Sequence, residues 1–412
     1  MATNGFSFAN PTYTSDSSYN YSTAEIDADS KYRGLQTTEP IPAPRVTPPV
    51  MDLSAVLPAS ALAAIAEAGK LVFHSVGDTG GVMRTEPQLA VADAMCADLA
   101  STSYGSNPPA FFYHLGDVVY FFGQQTYYPE QFYEPYRNYD APIFAIPGNH
   151  DGVMYTGESA PYSLSAFVAN FCAATPGPGV PGFSRSTMIQ PGVYFTLTAP
   201  FVRIIGLYSN TGESVGVLES SKIGTAQVEF LQTQLAAALA ARNADTTGAN
   251  PEALILAVHH PPFTGSSEHL PSAGMLKEID QCCQTAGIWP DLVLSGHAHM
   301  YERYTRTMAA DGRQIAYVVA GNGGYYDLPG LKTDASGSAP PTGTAQPDGS
   351  GNTVTLNAYN DTQFGFLTIT VSATAIEVKS QVVDESNPEA AATVIDTFTV
   401  DLKAHTVTTS AA

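Results

Sequence analysis

Six short polar clusters, most of them closing an apolar run, constrain this chain more than any other feature. They are Gly77-Asp78-Thr79-Gly80, Gly116-Asp117-Val118-Val119-Tyr120, Gly148-Asn149-His150-Asp151, His259-His260-Pro261, Glu268-His269 and Gly296-His297-Ala298-His299. The apolar runs at 71–76, 111–115, 142–146, 253–258 and 291–294 have strand character, and helical stretches at 88–99 and 226–242 lie between them. Strand, polar loop, helix, strand is the rhythm of an α/β layered domain. In open α/β sheets ligands gather beyond the carboxyl ends of strands. Asp78, Asp117, Asn149, His259 and His297 occupy such ends on separate strands. Any one of them alone reads as a turn former or a loop residue; their convergence is what carries information.

The donor types narrow the chemistry. Aspartate and phenolate are hard anionic oxygen donors, imidazole is borderline, and Asn offers a neutral carbonyl. These side chains outnumber what one ion needs, so two neighbouring ions are the economical reading. Asp117 is the natural bridge, and Tyr120, three residues on, reaches the same ion from its other side. His297 and His299 sit two residues apart on an expected loop and can turn to different ions. A Tyr ligand with an extra carboxylate favours Fe(III) on its side, and the Asn/His side suits Zn(II), Mn(II) or Fe(II). Two ions roughly 3.5–4 Å apart clamp a phosphate oxygen and lower the pKa of bound water. The constellation therefore points to hydrolysis at phosphorus. His150 and His269, not needed as ligands, are candidates to touch the phosphate and protonate the leaving oxygen. His260 stays open between substrate contact, support of a ligand and packing.

Charge excludes several partners. The 38 acidic residues against 17 basic leave a formal charge of -21, with no Lys/Arg cluster as a local exception. Such a surface repels nucleic acid and anionic membranes, leaving a small phosphate ester as the expected partner. No apolar run reaches the roughly 20 residues of a membrane span. The first residues lack the features of a signal peptide, while low lysine with abundant Ser, Thr, Gly and Pro slightly favours a secreted or periplasmic setting. Cys96, Cys172, Cys282 and Cys283 are too few for a disulfide framework; Cys282-Cys283 read as helix-packing residues, with one long-range disulfide left open. The glycine-rich stretches at 77–81 and 321–324 match neither GxGxxG nor a phosphate-binding Walker loop. Oligomeric state is not legible.

Residues 1–50 read as an extended arm or linker whose Tyr13, Tyr19, Tyr21 and Tyr32 rest on the body, and 51–70 as a helical lead-in. One domain spans 71–403, and 404–412 is a tail. The aromatic stretch 127–139 is expected to be helical, 152–191 a Gly/Pro-rich excursion, and 332–351 a surface loop. Strands at 315–319, 364–370, 376–382 and 394–400 are more antiparallel in style.

The motifs and their order resemble the purple acid phosphatases, within the calcineurin-like metallophosphoesterases. That family's order is GDxG, GDxxY, GNH(D/E), VxxH and GHxH. The fourth motif departs in having Leu256 for Val ahead of His259. The wider family begins with DxH; Asp78-Thr79-Gly80 and Tyr120 select the purple acid phosphatase branch instead. Glu268-His269 resembles the Glu-His of its small, mammalian-like members, whose His contacts substrate. The resemblance covers roughly 71–383 and implies two packed mixed β-sheets flanked by helices, a four-layer αββα arrangement. It implies Fe(III) on Asp78, Asp117, Tyr120 and His299, and a divalent Zn, Fe or Mn on Asp117, Asn149, His259 and His297. It further implies an acid phosphatase that attacks phosphate monoesters with a metal-bound hydroxide. The family register favours His259 over its neighbour, although a one-residue slip selects His260. Arg137, Arg185, Arg203 and Arg303 are candidates for phosphate contact against a default surface role. The alternative is a phosphodiesterase acting on small diesters or phospholipid headgroups. In that case Tyr113, Tyr120, Phe121, Phe122, Tyr127 and Tyr128 form a wall near Asp117 rather than core.

Overall fold

The computed structural model describes residues 41–152, 163–209, 215–221, 223–244, 252–388 and 390–410. The first forty residues, with the four arm tyrosines, and part of the 152–191 excursion lie outside the described residues. In chain order the early strands are β1 (Val50–Asp52), β2 (Lys70–Val76), β3 (Phe112–His114), β4 (Ile143–Ala145), β5 (Phe195–Ala199) and β6 (Val202–Leu207). Next come β7 (Ala253–Val258), β8 (Leu292–Ser295), β9 (Tyr301–Thr307), β10 (Gln314–Ala320) and β11 (Ala345–Pro347). β12 (Thr353–Asn360), β13 (Gly365–Ser372), β14 (Ala375–Val382), β15 (Thr393–Asp401) and β16 (Thr406–Thr409) complete the set. They form a nine-stranded sheet, β1-β5-β6-β7-β8-β10-β9-β12-β11, and a seven-stranded sheet, β16-β15-β14-β13-β2-β3-β4.

Both sheets are mixed. β2, β3 and β4 run parallel, as do β6, β7, β8 and β10, while β9, β12 and β13–β16 pair antiparallel. The parallel strands read as continuous apolar runs because both of their faces are covered. Leu71, Phe73 and Tyr113 of one sheet meet Ile204, Ile255, Ala257, Leu292 and Leu294 of the other in a shared core. The alternate residues, including Val76, Phe112, Ile205, Leu254, Leu256 and Val293, pack outward. There they meet Val91 and Met95 of α1 (Glu86–Leu99), Leu231 and Leu235 of α2 (Ala226–Ala244), and Ile279 and Cys283 of α3 (Ala273–Ala286). Two mixed sheets flanked by helices is the arrangement expected from the sequence. Among the described residues no helix is long and apolar enough to cross a membrane.

Local differences have physical causes. The stretch 127–139 is not a regular helix: Pro129 opens a wide turn over Pro129–Tyr133, closed by Glu134 N–H donating to Pro129 O at 2.8 Å. Burial of Tyr128, Phe132, Tyr133, Tyr136 and Tyr139 holds it instead. The expected surface loop 332–351 contains β11, because Asp348 accepts from the N–H groups of Ser350 (2.8 Å) and Asn352 (3.0 Å) and turns the chain into a hairpin. Arg306 Nε donates to the other oxygen of Asp348 at 2.7 Å. Within the expected 404–412 tail, Thr406–Thr409 pairs as an edge strand with β15. Its β-branched residues suit a strand, and Asp401 closes the turn by accepting from Lys403 N–H (2.8 Å) and Ala404 N–H (2.7 Å). All four cysteines are free thiols.

Candidate metal centre

The parallel strands of both sheets end on the same side, and the polar clusters meet there. β2 leads to Asp78, β3 to Asp117 and Tyr120, and β4 to a short helical turn bearing Asn149 and His150. From the other sheet β7 leads to His259, and β8 to His297 and His299. Backbone bonds stitch the sheets together: Gly77 N–H donates to Ala320 O at 2.8 Å and Tyr325 N–H to Asp78 O at 2.9 Å. Asp78, Asp117 and His297 have φ of 57°, 53° and 67°. That left-handed region costs a non-glycine residue about 1–3 kcal/mol, and such strain clusters where side chains must be aimed. It is held by His297 N–H donating to Asp78 Oδ2 (2.8 Å) and His150 N–H to Asp117 Oδ1 (2.9 Å). Gly116, at φ 101°, leaves room for His259, whose Nδ1 would lie 2.6 Å from an added Cβ.

Two groups of donor atoms result. Tyr120 Oη lies 3.2 Å from Asp78 Oδ1 and 3.4 Å from His299 Nε2, and those two are 3.5 Å apart. Asn149 Oδ1 lies 3.1 Å from His259 Nε2 and 2.9 Å from His297 Nδ1, with Asp117 Oδ2 3.3 Å from His259 Nε2. The two groups adjoin, His259 Nε2 being 4.0 Å from Asp78 Oδ1. Asp117, His259 and His297 each bring a ligand atom within 4.8 Å of the others, all three buried. An ion bound tetrahedrally through bonds of about 2.1 Å sets its donors roughly 3.4 Å apart. The spacing in both groups fits that demand. Among the described residues Asp117 Oδ2, His297 Nε2 and His299 Nδ1 are buried with no hydrogen-bond partner, which native interiors rarely tolerate. A cation at Asp117 Oδ2 is the group that would satisfy that oxygen; the unpartnered His297 Nε2 and His299 Nδ1 are the ring nitrogens opposite those in the two donor groups.

The electrostatics agree. Burial together with the charge of Asp117 lifts the Asp78 carboxyl well above its usual range. Burial opposes ionisation of Asp117 as well, but the imidazoles of His259 and His150 hold it well below that range. His259 is pushed down by burial yet raised overall, to about 9, by Asp117 and Asp78. Burial and its imidazole neighbours push His297 well below its usual value, and burial holds His299 at about 4. Without metal, a proton on His259 thus stands in for a cation. Metal uptake at pH 7 is expected to expel about one proton or more, because ligand nitrogens must be bare. Calorimetric titration in buffers of different ionisation enthalpy measures this, and uptake without proton release contradicts the ligand role of His259. Apparent affinity should climb as pH rises toward 9.

Several supporting groups went unread in the sequence. Asp151 accepts from Gly148 N–H (2.8 Å), Val118 N–H (3.1 Å) and Val119 N–H (3.2 Å), clamping the loops after β3 and β4. Burial and the charge of Asp117 raise it to about 7. Gln131 brackets the Tyr120 backbone, accepting from its N–H (2.8 Å) and donating to its carbonyl (2.9 Å). His114 Nε2 pairs with Thr79 Oγ1 at 2.8 Å, and the Tyr325 ring packs at a tilt 4.1 Å from His299 and 4.5 Å from Tyr120. The fourth residue of the Asn149 cluster hinted at Asp151; no local pattern marks the others.

The remaining candidates divide. His150 donates Nδ1–H to Phe121 O at 2.8 Å, which leaves Nε2 as its basic atom. His269 packs 4.4 Å from His297 and 5.1 Å from His299, ring to ring, at the rim. His260 is fully buried, tied to Ser209 Oγ through Nδ1 (2.9 Å) and packed at a tilt 4.2 Å from His297. The four arginines are engaged elsewhere: Arg137 with Glu134 (2.6 Å), Arg203 with Glu252 (3.0 Å), Arg303 with Asp396 (2.6 Å), and Arg185 with the carbonyls of Tyr136 and Ala141 (3.0 Å each). Tyr120, Phe121 and Phe122 are buried in a small cluster with Val82 and Tyr325, while Tyr113 and Tyr128 belong to the main cores. The aromatic run is packing, not an open wall.

Comparison with known proteins follows this geometry. The model of the family described as calcineurin-like phosphoesterase matches residues 73–301. No curated protein sequence matches the chain. Among solved structures the fold is similar to a purple acid phosphatase, PPD1, from yellow lupin (Lupinus luteus) seeds, with TM-score 0.52 and 15% identity. That alignment covers 81% of this chain and 54% of the lupin protein, so the chain spans about half the length of that relative. PhoD aligns over 90% of this chain and 73% of its own, at 13% identity and TM-score 0.44.

Proposed function

Because the chain belongs to the calcineurin-like phosphoesterase family, we propose that it is a metal-dependent phosphomonoesterase of the purple acid phosphatase type, acting on small phosphate esters. The observation that carries this reading is the pair of adjoining donor groups, one with Asp78, Tyr120 and His299 and one with Asn149, His259 and His297. Asp117, whose Oδ2 lies 3.3 Å from His259 Nε2, is on this reading the carboxylate shared by both. Phenol, carboxylate and imidazole suit trivalent iron; the amide and imidazoles suit Zn, Fe(II) or Mn. Ions held there supply Lewis acidity and make a bound water nucleophilic near neutral pH.

The chain's own residues supply the rest. His150, whose Nδ1–H donates to Phe121 O, meets a phosphate oxygen as the imidazolium, with Nε2–H donating to it. His269 carries the proton for the leaving oxygen. Burial and the nearby imidazoles, His299 foremost, hold it at about 3 before substrate arrives, so it enters neutral. A phosphate dianion beside it raises its pKa and supplies the charge that recruits the proton. His260, braced by Ser209, fixes the ring plane of His297.

The test is turnover by metal-loaded protein on a matched phosphate monoester and diester, with elemental analysis per chain. About one iron with one further iron, zinc or manganese, and faster monoester cleavage, supports the reading; faster diester cleavage replaces it with a phosphodiesterase. His269→Ala is expected to lower kcat about 100-fold at unchanged metal content. An unaltered kcat removes His269 from proton transfer.

A further inference from the structure

Beside the candidate centre runs an open groove of about 440 Å³, and His269 lines both. One wall is the segment 264–271 and the other the segment 332–341. Its floor is stitched by backbone: Lys332 N–H donates to Gly265 O at 2.8 Å and Ser267 N–H to Gly330 O at 3.1 Å. The near wall is anchored by buried Glu302, which accepts from Thr264 Oγ1 and Gly265 N–H at 2.7 Å each. A wall fixed in this way presents a standing shape, as small-molecule sites do.

The groove's chemistry is specific. Leu270, Pro271, Pro340 and Pro341 supply apolar surface, and Leu270 is 59% exposed, the most exposed of the large apolar side chains among the described residues. Two charged side chains line it. The Asp334 carboxylate is taken up by its own turn, accepting from Ser336 N–H (2.8 Å) and Ser338 N–H (3.0 Å). Lys332 makes no ion pair among the described residues, in a chain with formal charge -21. A cation in that setting, at one edge of an apolar slot, complements an anion.

The geometry points to this groove as the leaving-group subsite, fitted to a small phosphate ester whose apolar body carries a second, acidic substituent that meets Lys332. The assignment rests on the phosphomonoesterase reading. It makes Lys332 a specificity-determining residue, with His269 placed where the ester oxygen leaves and the organic group lies along Leu270.

The test compares 4-carboxyphenyl phosphate with its near-isosteric neutral partner, 4-carbamoylphenyl phosphate. The readout is the ratio of their kcat/KM values in the metal-loaded protein, in wild type, Lys332→Met and Lys332→Glu. Taking the ratio between variants cancels the intrinsic reactivity of the esters. The ratio is expected to fall about two- to fivefold in K332M, as for an exposed ion pair, and roughly tenfold in K332E, where like charges meet. The fall should lie in KM, and the inhibition constants of released 4-hydroxybenzoate and 4-hydroxybenzamide should move in the same ratio. A ratio unchanged in both variants while both esters turn over overturns the subsite. Absence of turnover on both esters in wild type instead overturns the phosphomonoesterase reading on which it stands.

Discussion

Asp117→Asn is expected to leave a folded protein that has lost the centre. Asn keeps the shape and the oxygen that accepts from His150 N–H, but it removes the charge beside His259 and the carboxylate oxygen that has no hydrogen-bond partner among the described residues. The buried triad of Asp117, His259 and His297 loses its carboxylate. Phosphoester turnover should fall about 10⁴-fold or more, because a bound ion's effect on water spans about nine pKa units. Elemental analysis of the purified variant should show less than the wild-type metal content. In the metal-free protein His259 also loses one of the two carboxylates that raise its pKa, so its titration should shift downward by NMR. A variant with full metal and wild-type turnover removes Asp117 from the centre.

The second large effect acts at a distance from any donor atom. Asp151→Ala strips the partner from the N–H groups of Gly148, Val118 and Val119 at once. Each buried donor left unpaired costs about 1–3 kcal/mol, so a loss of roughly 3 kcal/mol or more is expected in the denaturation midpoint. The loops carrying Asp117 and Asn149 separate, and metal affinity should fall about 10- to 100-fold, the range for groups that orient ligands. The wild-type pH dependence has a definite sign. The folded-state pKa of Asp151, about 7, lies above its unfolded value, so its contribution is fully present below about pH 4. That contribution is lost as pH rises toward 7. In D151A this slope should vanish from the metal-free stability curve. An unchanged slope means that a group other than Asp151 titrates in this range.

Much of this was legible in the chain because the strands in question have both faces covered, which turns each into a readable apolar run. Five such runs ended at a polar cluster, so candidate donor residues could be named in advance, and the structure brings those residues together. Gln131 and His114 were not readable because their work is done on groups 11 and 35 residues away; Asp151, hinted at by its place beside Asn149, spends its oxygens on backbone N–H groups 3 to 33 residues away. The hairpin of β11 and the edge strand β16 were missed for a related reason. Their stability comes from an Asp-closed turn and a pairing partner, not from apolar content. The His259/His260 register was ambiguous in sequence, and the packing of His260 against Ser209 and His297 accounts for both imidazoles.

The strand order carries a consequence for synthesis. β2, which leads to Asp78, lies between β3 and β13, whose residues follow it by almost three hundred positions. A nascent chain that has emerged through His299 holds every donor residue, yet β2 still has an open edge. The sheet beneath the centre closes only when β13 arrives. Until then the partly made chain exposes apolar strand edges to its neighbours. The 113 residues after His299, which contribute none of the donor side chains, therefore govern when the candidate ion-binding pocket first becomes durable on the ribosome.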